Sequence, residues 1–202
     1  MSSDIQSTFM TAAAADTDGV SAVASVANNA NLVLGGALAS GGSVTFDEPR
    51  NITILSSADD SGISFNVTGT DETGTAVVVS VDGADTGTTT GTAFFSTITQ
   101  ITAVGNPAGN VSVGSGTSIA APMFRGRLRL RGLYAVNTAT AGTITFREGS
   151  GTGAVRMQFN TVASANTTQY PDVPDDGIVF AGGGYVTYVQ TTLSSLTVFY
   201  VG

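Results

Sequence analysis

The stretch Ile63-Ser64-Phe65-Asn66-Val67, followed by the turn-forming run Gly69 to Gly74, decides the fold. Apolar residues at every second position put Ile63, Phe65 and Val67 on one side and Ser64 and Asn66 on the other. That is the period of a strand with one buried face, not of a helix. Outward from this stretch the pattern recurs in Ile52-Thr53-Ile54, Val79-Ser80-Val81, Ile98 to Val104 and Val111-Ser112-Val113. Ala58 to Gly62, Asp82-Gly83 and Gly105 to Gly109 punctuate it with residues that tolerate tight reversals. The second half adds Arg125 to Tyr134, Thr143 to Arg147, Val155 to Asn160, Ile178 to Phe180, Tyr185 to Gln190 and Leu196 to Val201. Short strands at this spacing predict an all-β chain with two β-domains, each a sandwich or jelly-roll-like barrel.

Composition supports a packed chain and narrows its chemistry. Hydrophobic residues make up 42% of the 202 residues and charged residues only 11%. Cys, His, Trp and Lys are absent, so all seven cations are Arg. Without Cys there is no disulfide and no thiolate metal site. Without His the commonest general base near neutral pH is missing, and without Lys there is no Schiff-base chemistry. The expectation is a protein that is not an enzyme, with no catalytic, cofactor-binding or metal-binding residues. A net charge of −8 opposes nucleic-acid binding, which rests on neutralising phosphates. Met1 to Thr11 holds no Lys or Arg and no apolar run approaches a bilayer span, so neither an ordinary signal peptide nor a membrane partner is expected.

Charge divides the chain. Residues 1–117 hold eleven acids and one base, and residues 118–202 hold four acids and six Arg. The change coincides with a small-residue stretch, Gly114 to Pro122, which reads as a linker. The expected organisation is an N-terminal arm or short helix over 1–30, an acidic domain over 31–117 and an Arg-bearing domain over 118–202.

Three motifs imitate functional sites. Asp16-Thr17-Asp18-Gly19 opens like a calcium loop, but the position of the required bidentate Glu is Ala27. Gly149 to Ala154 fits a loose dinucleotide fingerprint, but the strand pattern of Val155 to Phe159 follows it where a helix is needed, so it reads as a hairpin loop. Asp59-Asp60 and Asp175-Asp176 are paired carboxylates beside Gly, read as solvated turn residues.

Arg125-Gly126-Arg127-Leu128-Arg129-Leu130-Arg131-Gly132 stands above this background. On one strand Arg125, Arg127, Arg129 and Arg131 would form a single row, with Leu128 and Leu130 facing the core. Three readings stay open: a solvated face partly paired with Glu148 or Asp172, a contact with acidic groups on another subunit or on the first domain, or an anionic polymer. Arg suits a carboxylate partner because its planar fork pairs at two points. Tyr170 and Tyr185 are candidates for exposed loop-tip aromatics that would serve a receptor or glycan.

Several blocks together carry a resemblance. Asp18-Gly19 and Asn31 to Gly42 open it, and Pro49-Arg50-Asn51-Ile52-Thr53-Ile54, Asp60 to Asp71 and Gly83 to Thr88 continue it. Phe95 to Thr102 and Val111 to Gly114 close it. In this order they resemble a β-domain of virion structural proteins of tailed bacteriophages, over about residues 18–117. Pro174 to Phe180 and the Tyr- and Val-rich end resemble a second phage β-module. The resemblance implies a capsid decoration (cement) protein on the exterior of the virion, made in the host cytoplasm, with the major capsid protein as partner and a homotrimer as its assembly. A head–tail or tail component is the alternative it allows. It implies no catalytic residues.

Overall fold

Val, Ile and Thr fill the alternating runs, and branched side chains pack well on a pleated surface. The computed structural model describes residues 4–11 and 13–202 and forms a strand within each of these runs. In chain order the strands are β1 Gln6–Met10, β2 Ser21–Ser25, β3 Ala39–Ser40, β4 Ser43–Asp59, β5 Ser64–Asp71, β6 Ala76–Asp82, β7 Asp85–Thr90 and β8 Phe95–Val104. They continue as β9 Asn110–Phe124, β10 Leu128–Asn137, β11 Thr143–Glu148, β12 Val155–Asn160, β13 Thr168–Gln169, β14 Ile178–Phe180, β15 Gly184–Val189 and β16 Leu193–Val201. One 3-10 turn, Gln190–Thr192, interrupts them, and the described residues contain no α-helix and no closed barrel. The strands assemble into two sheets of antiparallel ladders, as a β-sandwich requires.

The chain packs as two compact units. One is Ala15–Thr117; the other joins the segment ending at Ala14 to Ser118–Gly202. In Ala15–Thr117, β5 pairs with β6 and β8, and β4 pairs with β7 and β8. Its core holds Ile52, Ile54, Phe65, Val67, Ile98 and Ile101, all fully buried. In the other unit β10 pairs with β16, β13 and β14, and β16 pairs with β1. β15 there bridges β11 and the end of β9. Leu130 and Val198 from the first of these ladders meet Ile119, Phe146 and Val186 from the second in one core, which makes this unit a two-sheet sandwich.

Two expectations about organisation are corrected. Gly114 to Pro122 is not a linker but the middle of β9. Its small residues serve close approach: a Cβ on Gly114 would overlap the Asp16 carbonyl, and one on Gly116 the Asn51 amide. Ser115 donates its N–H to the Asp16 carbonyl and accepts the Asp16 N–H on its hydroxyl. The described residues of the first thirty order against the fold as extended segments, not as a helix, and they divide between the two units. β1 completes the sheet edge beside β16, where Met10 is buried, and Thr8 Oγ1 donates to the Met123 carbonyl at 3.0 Å. β2 instead pairs with β9 in the other unit. Residues 1–3 and 12 of that expectation lie outside the described residues.

The turn expected at Gly69 to Gly74 begins later. Gly69 lies inside β5, where a Cβ would strike the Thr97 carbonyl across the β5–β8 ladder. The reversal is built instead on Asp71, whose carboxylate accepts the N–H groups of Thr73 and Thr75 at 2.8 and 2.9 Å. Gly69→Val is therefore expected to lower stability by about 3 kcal/mol, as overpacking and a broken ladder do, read as a lower urea midpoint. Elastase under native conditions is expected to spare residues 114–122 and to cut first at the exposed Val162 to Ala165; early cleavage inside β9 would contradict the strand assignment.

Candidate interaction surface

The four arginines do not share one strand. β9 ends at Phe124 and β10 begins at Leu128, so Arg125 and Arg127 sit on the bend between them, both exposed. Arg129 and Arg131 lie on β10, and there the register slips: Leu130 faces Tyr200, yet Gly132 faces Phe199, which leaves Arg131 as the extra residue of a bulge. The stems of both converge on the turn before β14. A Cβ at Gly177 would lie 2.8 Å from Arg129 Cγ and 3.1 Å from Arg131 Cδ. Arg129 Nη1 donates to the Asp176 main-chain carbonyl at 2.5 Å. Glu148 is not available to this group. It pairs with Arg156 across the β11–β12 hairpin and accepts the Ala181 and Gly182 N–H groups. The hydrogen bonds of Arg156, then those of the two amides, hold its carboxyl below the ordinary range.

The sheet face that carries Arg129 is apolar. Leu128, Leu130, Leu133 and Ala135 turn inward, so Arg129, Gly132 and Tyr134 turn outward. Register continues that outer face across Thr197, Phe199 and Val201 of β16 to Ser7 and Phe9 of β1. The Phe199 ring lies over Gly132, 3.9 Å from where a Cβ would be. Tyr134 meets Tyr170 edge-on with ring centroids 5.1 Å apart. Tyr170 is exposed as expected for a loop-tip aromatic, whereas Tyr185 is buried in β15 and cannot serve as one.

The mimics resolve individually. Gly149 to Gly153 is the turn of the β11–β12 hairpin. Asp175 and Asp176 are exposed. Asp59 is exposed and accepts the Ser61 hydroxyl and N–H, which lower its pKa. Asp60, read as solvated, is buried: its carboxylate accepts the Ala108 N–H at 2.7 Å and ties the loop after β8 to the turn after β4. No group of three or more His, Cys, Asp or Glu among the described residues is arranged to hold a metal ion. No helix among them is long and apolar enough to cross a membrane.

One charged group escaped the sequence reading. Pro49 lacks an N–H, and the β4–β8 ladder breaks between Thr45 and Arg50. The residues displaced there place Arg50, 1% exposed, 5.8 Å from the Phe46 ring centroid and 2.8 Å from Asp47 Oδ1. Glu48 sits half-buried beside them. Its pKa is raised to about 7, first by desolvation, then by the Asp47 charge, with Arg50 opposing. The run Asp47-Glu48-Pro49-Arg50 was the available signal: charges flanking a Pro inside a strand pattern.

No known protein family matches the chain, and neither a characterised protein nor a solved structure matches it.

Glu48 makes stability depend on pH. Its folded pKa lies above the unfolded value, so the native state binds the extra proton and stability falls as pH rises from about 4.5 through about 7. Glu48→Gln is expected to flatten that slope in urea titrations. At about pH 8 it should gain on the order of 1 kcal/mol, discounted for the solvent that still reaches the group. An unchanged slope between about pH 5 and 8 would contradict the assignment.

Proposed function

We propose that this protein is a structural component of a tailed-bacteriophage particle, a decoration protein that binds the outer shell and reinforces it through many modest contacts. The observation that carries the reading is the make-up of its exposed strand faces. β6 turns Ala76, Val78 and Ser80 outward, and β7 turns Thr86, Thr88 and Thr90 outward. Short side chains let a neighbouring surface approach the sheet closely and lose little rotamer freedom when they are covered. Contacts of this kind are individually weak, but on a repeating shell they add through effective concentration. The order of sequence blocks from Asp18 to Gly114 supports the same reading, and no catalytic step is part of it.

A second reading rests on a specific feature. Tyr170 stands edge-on to Tyr134, with the exposed Asp172 two residues on, and an aromatic plate beside a carboxylate suits a glycan or receptor.

Particles that lack the protein are expected to lose surface density and to break at lower temperature, with both restored when purified protein is added back. Copy numbers on the order of hundreds per particle fit decoration, whereas about six or twelve would indicate a head–tail or tail component and overturn it. Tyr170→Ala is expected to leave occupancy and particle stability intact; lost host adsorption with stability preserved would favour the second reading.

A further inference from the structure

Three large apolar side chains that are exposed in the fold, Phe9, Tyr170 and Phe199, gather on a single sheet face, and Ile5 directly precedes its β1 edge. Ile5 is 65% exposed, Phe9 65%, Tyr170 67% and Phe199 39%. The half-buried Tyr134, Val179 and Val201 fill the space between them, because the β10, β14 and β16 registers turn these residues the same way. A largely apolar patch of this kind on a sheet, here with Ser7 and Thr197 within it, marks an interaction surface rather than a solvated one.

Charge selects the occupant. Arg129 and Arg131 stand at one end of the face, with Arg125 and Arg127 on the adjoining bend and the exposed Asp175 and Asp176 on the neighbouring turn. A symmetric pairing of this face with itself in which the two arginine ends coincide would bring like charges together, and like charges across an interface oppose binding. The complementary charge lies elsewhere in the same chain. Ala15–Thr117 holds ten acids against one Arg, while the unit bearing the apolar face holds five acids against six Arg. Among those ten, Asp59 faces Asp85 across the β4–β7 pairing, and Asp82 lies three residues before Asp85; all three are exposed. Val78, 65% exposed, lies four residues from Asp82 on the same outward side of β6 and supplies an apolar residue on that surface.

We propose that the β1–β16–β10 face docks on the acidic Ala15–Thr117 unit of a second copy of the chain. The contact is head-to-tail: each copy offers the Arg-rimmed apolar face with one unit and the carboxylate-bearing surface with the other. Such a heterologous contact closes into a ring when its rotation closes and otherwise extends as a filament. Arg is suited to the rim because its fork pairs with a carboxylate at two points.

Sedimentation velocity on the purified full chain tests this apart from any particle. Concentration-dependent association is expected at about 0.05 M salt and weaker association at about 0.5 M, since screening shortens the reach of rim charges. Phe9→Ser with Phe199→Ser, and separately Arg129→Glu with Arg131→Glu, should each weaken association about tenfold or more. Circular dichroism and urea midpoints like those of the unaltered chain confirm that both variants fold. Mixing the Arg→Glu variant with Asp82→Arg/Asp85→Arg should restore association between the two. A chain that stays monomeric at its highest soluble concentration overturns the proposal. So does association that neither variant changes, or a mixture that fails to associate.

Discussion

The pairing of β10 with β16 fixes what the Arg-bearing unit shows to solvent. Two apolar phases meet in β10: Leu128 and Leu130 fall on even positions, Leu133 and Ala135 on odd ones. A regular strand would bury one pair and expose the other, because successive side chains alternate faces. One extra residue at Arg131 resets the phase, so all four residues are buried and the opposite ladder partners keep Val198 and Tyr200 inside. The bulge is thus required by hydrophobic burial. Its consequence is that Arg129, Gly132 and Tyr134 share an outer face with Phe199 and Phe9, and that Arg131 swings toward the turn before β14.

A second irregularity shapes Ala15–Thr117. Pro49 cannot donate to a ladder, so β4 leaves β8 after Thr45 and rejoins it at Arg50. Of the charged residues there, Asp47 stays exposed, while Arg50 and Glu48 are drawn inward. Arg50 is buried against Phe46 with Asp47 as its ion partner, and Glu48 is drawn into the same partly desolvated space. Burying a guanidinium is tolerable only with such partners, and desolvating a carboxylate beside another acid favours its proton. In both units a departure from period two is where the charged side chains of interest are placed.

Much of the fold was legible in the sequence. Val155 to Asn160 and Ile178 to Phe180 are strands with the expected ends, because alternation is a local signal bounded by local turn residues. The misreadings share a cause. Gly114 to Pro122 has the composition of a linker, yet its glycines admit the backbone of residue 16 and the side chain of Asn51; flexibility and close approach call for the same residue types. Arg125 and Arg127 continue the spacing of Arg129 and Arg131, but a strand end depends on where the partner strand stops. Asp60 looks like its neighbour Asp59, yet Asp60 is buried with its carboxylate on the main-chain N–H of Ala108, 48 residues away, while Asp59 bonds Ser61 in solvent.

By itself, then, the sequence determined the β period, the uneven division of charge and the absence of Cys, His and Lys, since each is a property of composition or of neighbours along the chain. Tertiary structure decided which small-residue runs are paired, which carboxylates are buried and which arginines flank an apolar face. Those outcomes depend on ladder partners tens of residues distant, and the register of a partner strand leaves no mark in the residues it faces until the bulges that set it are in place.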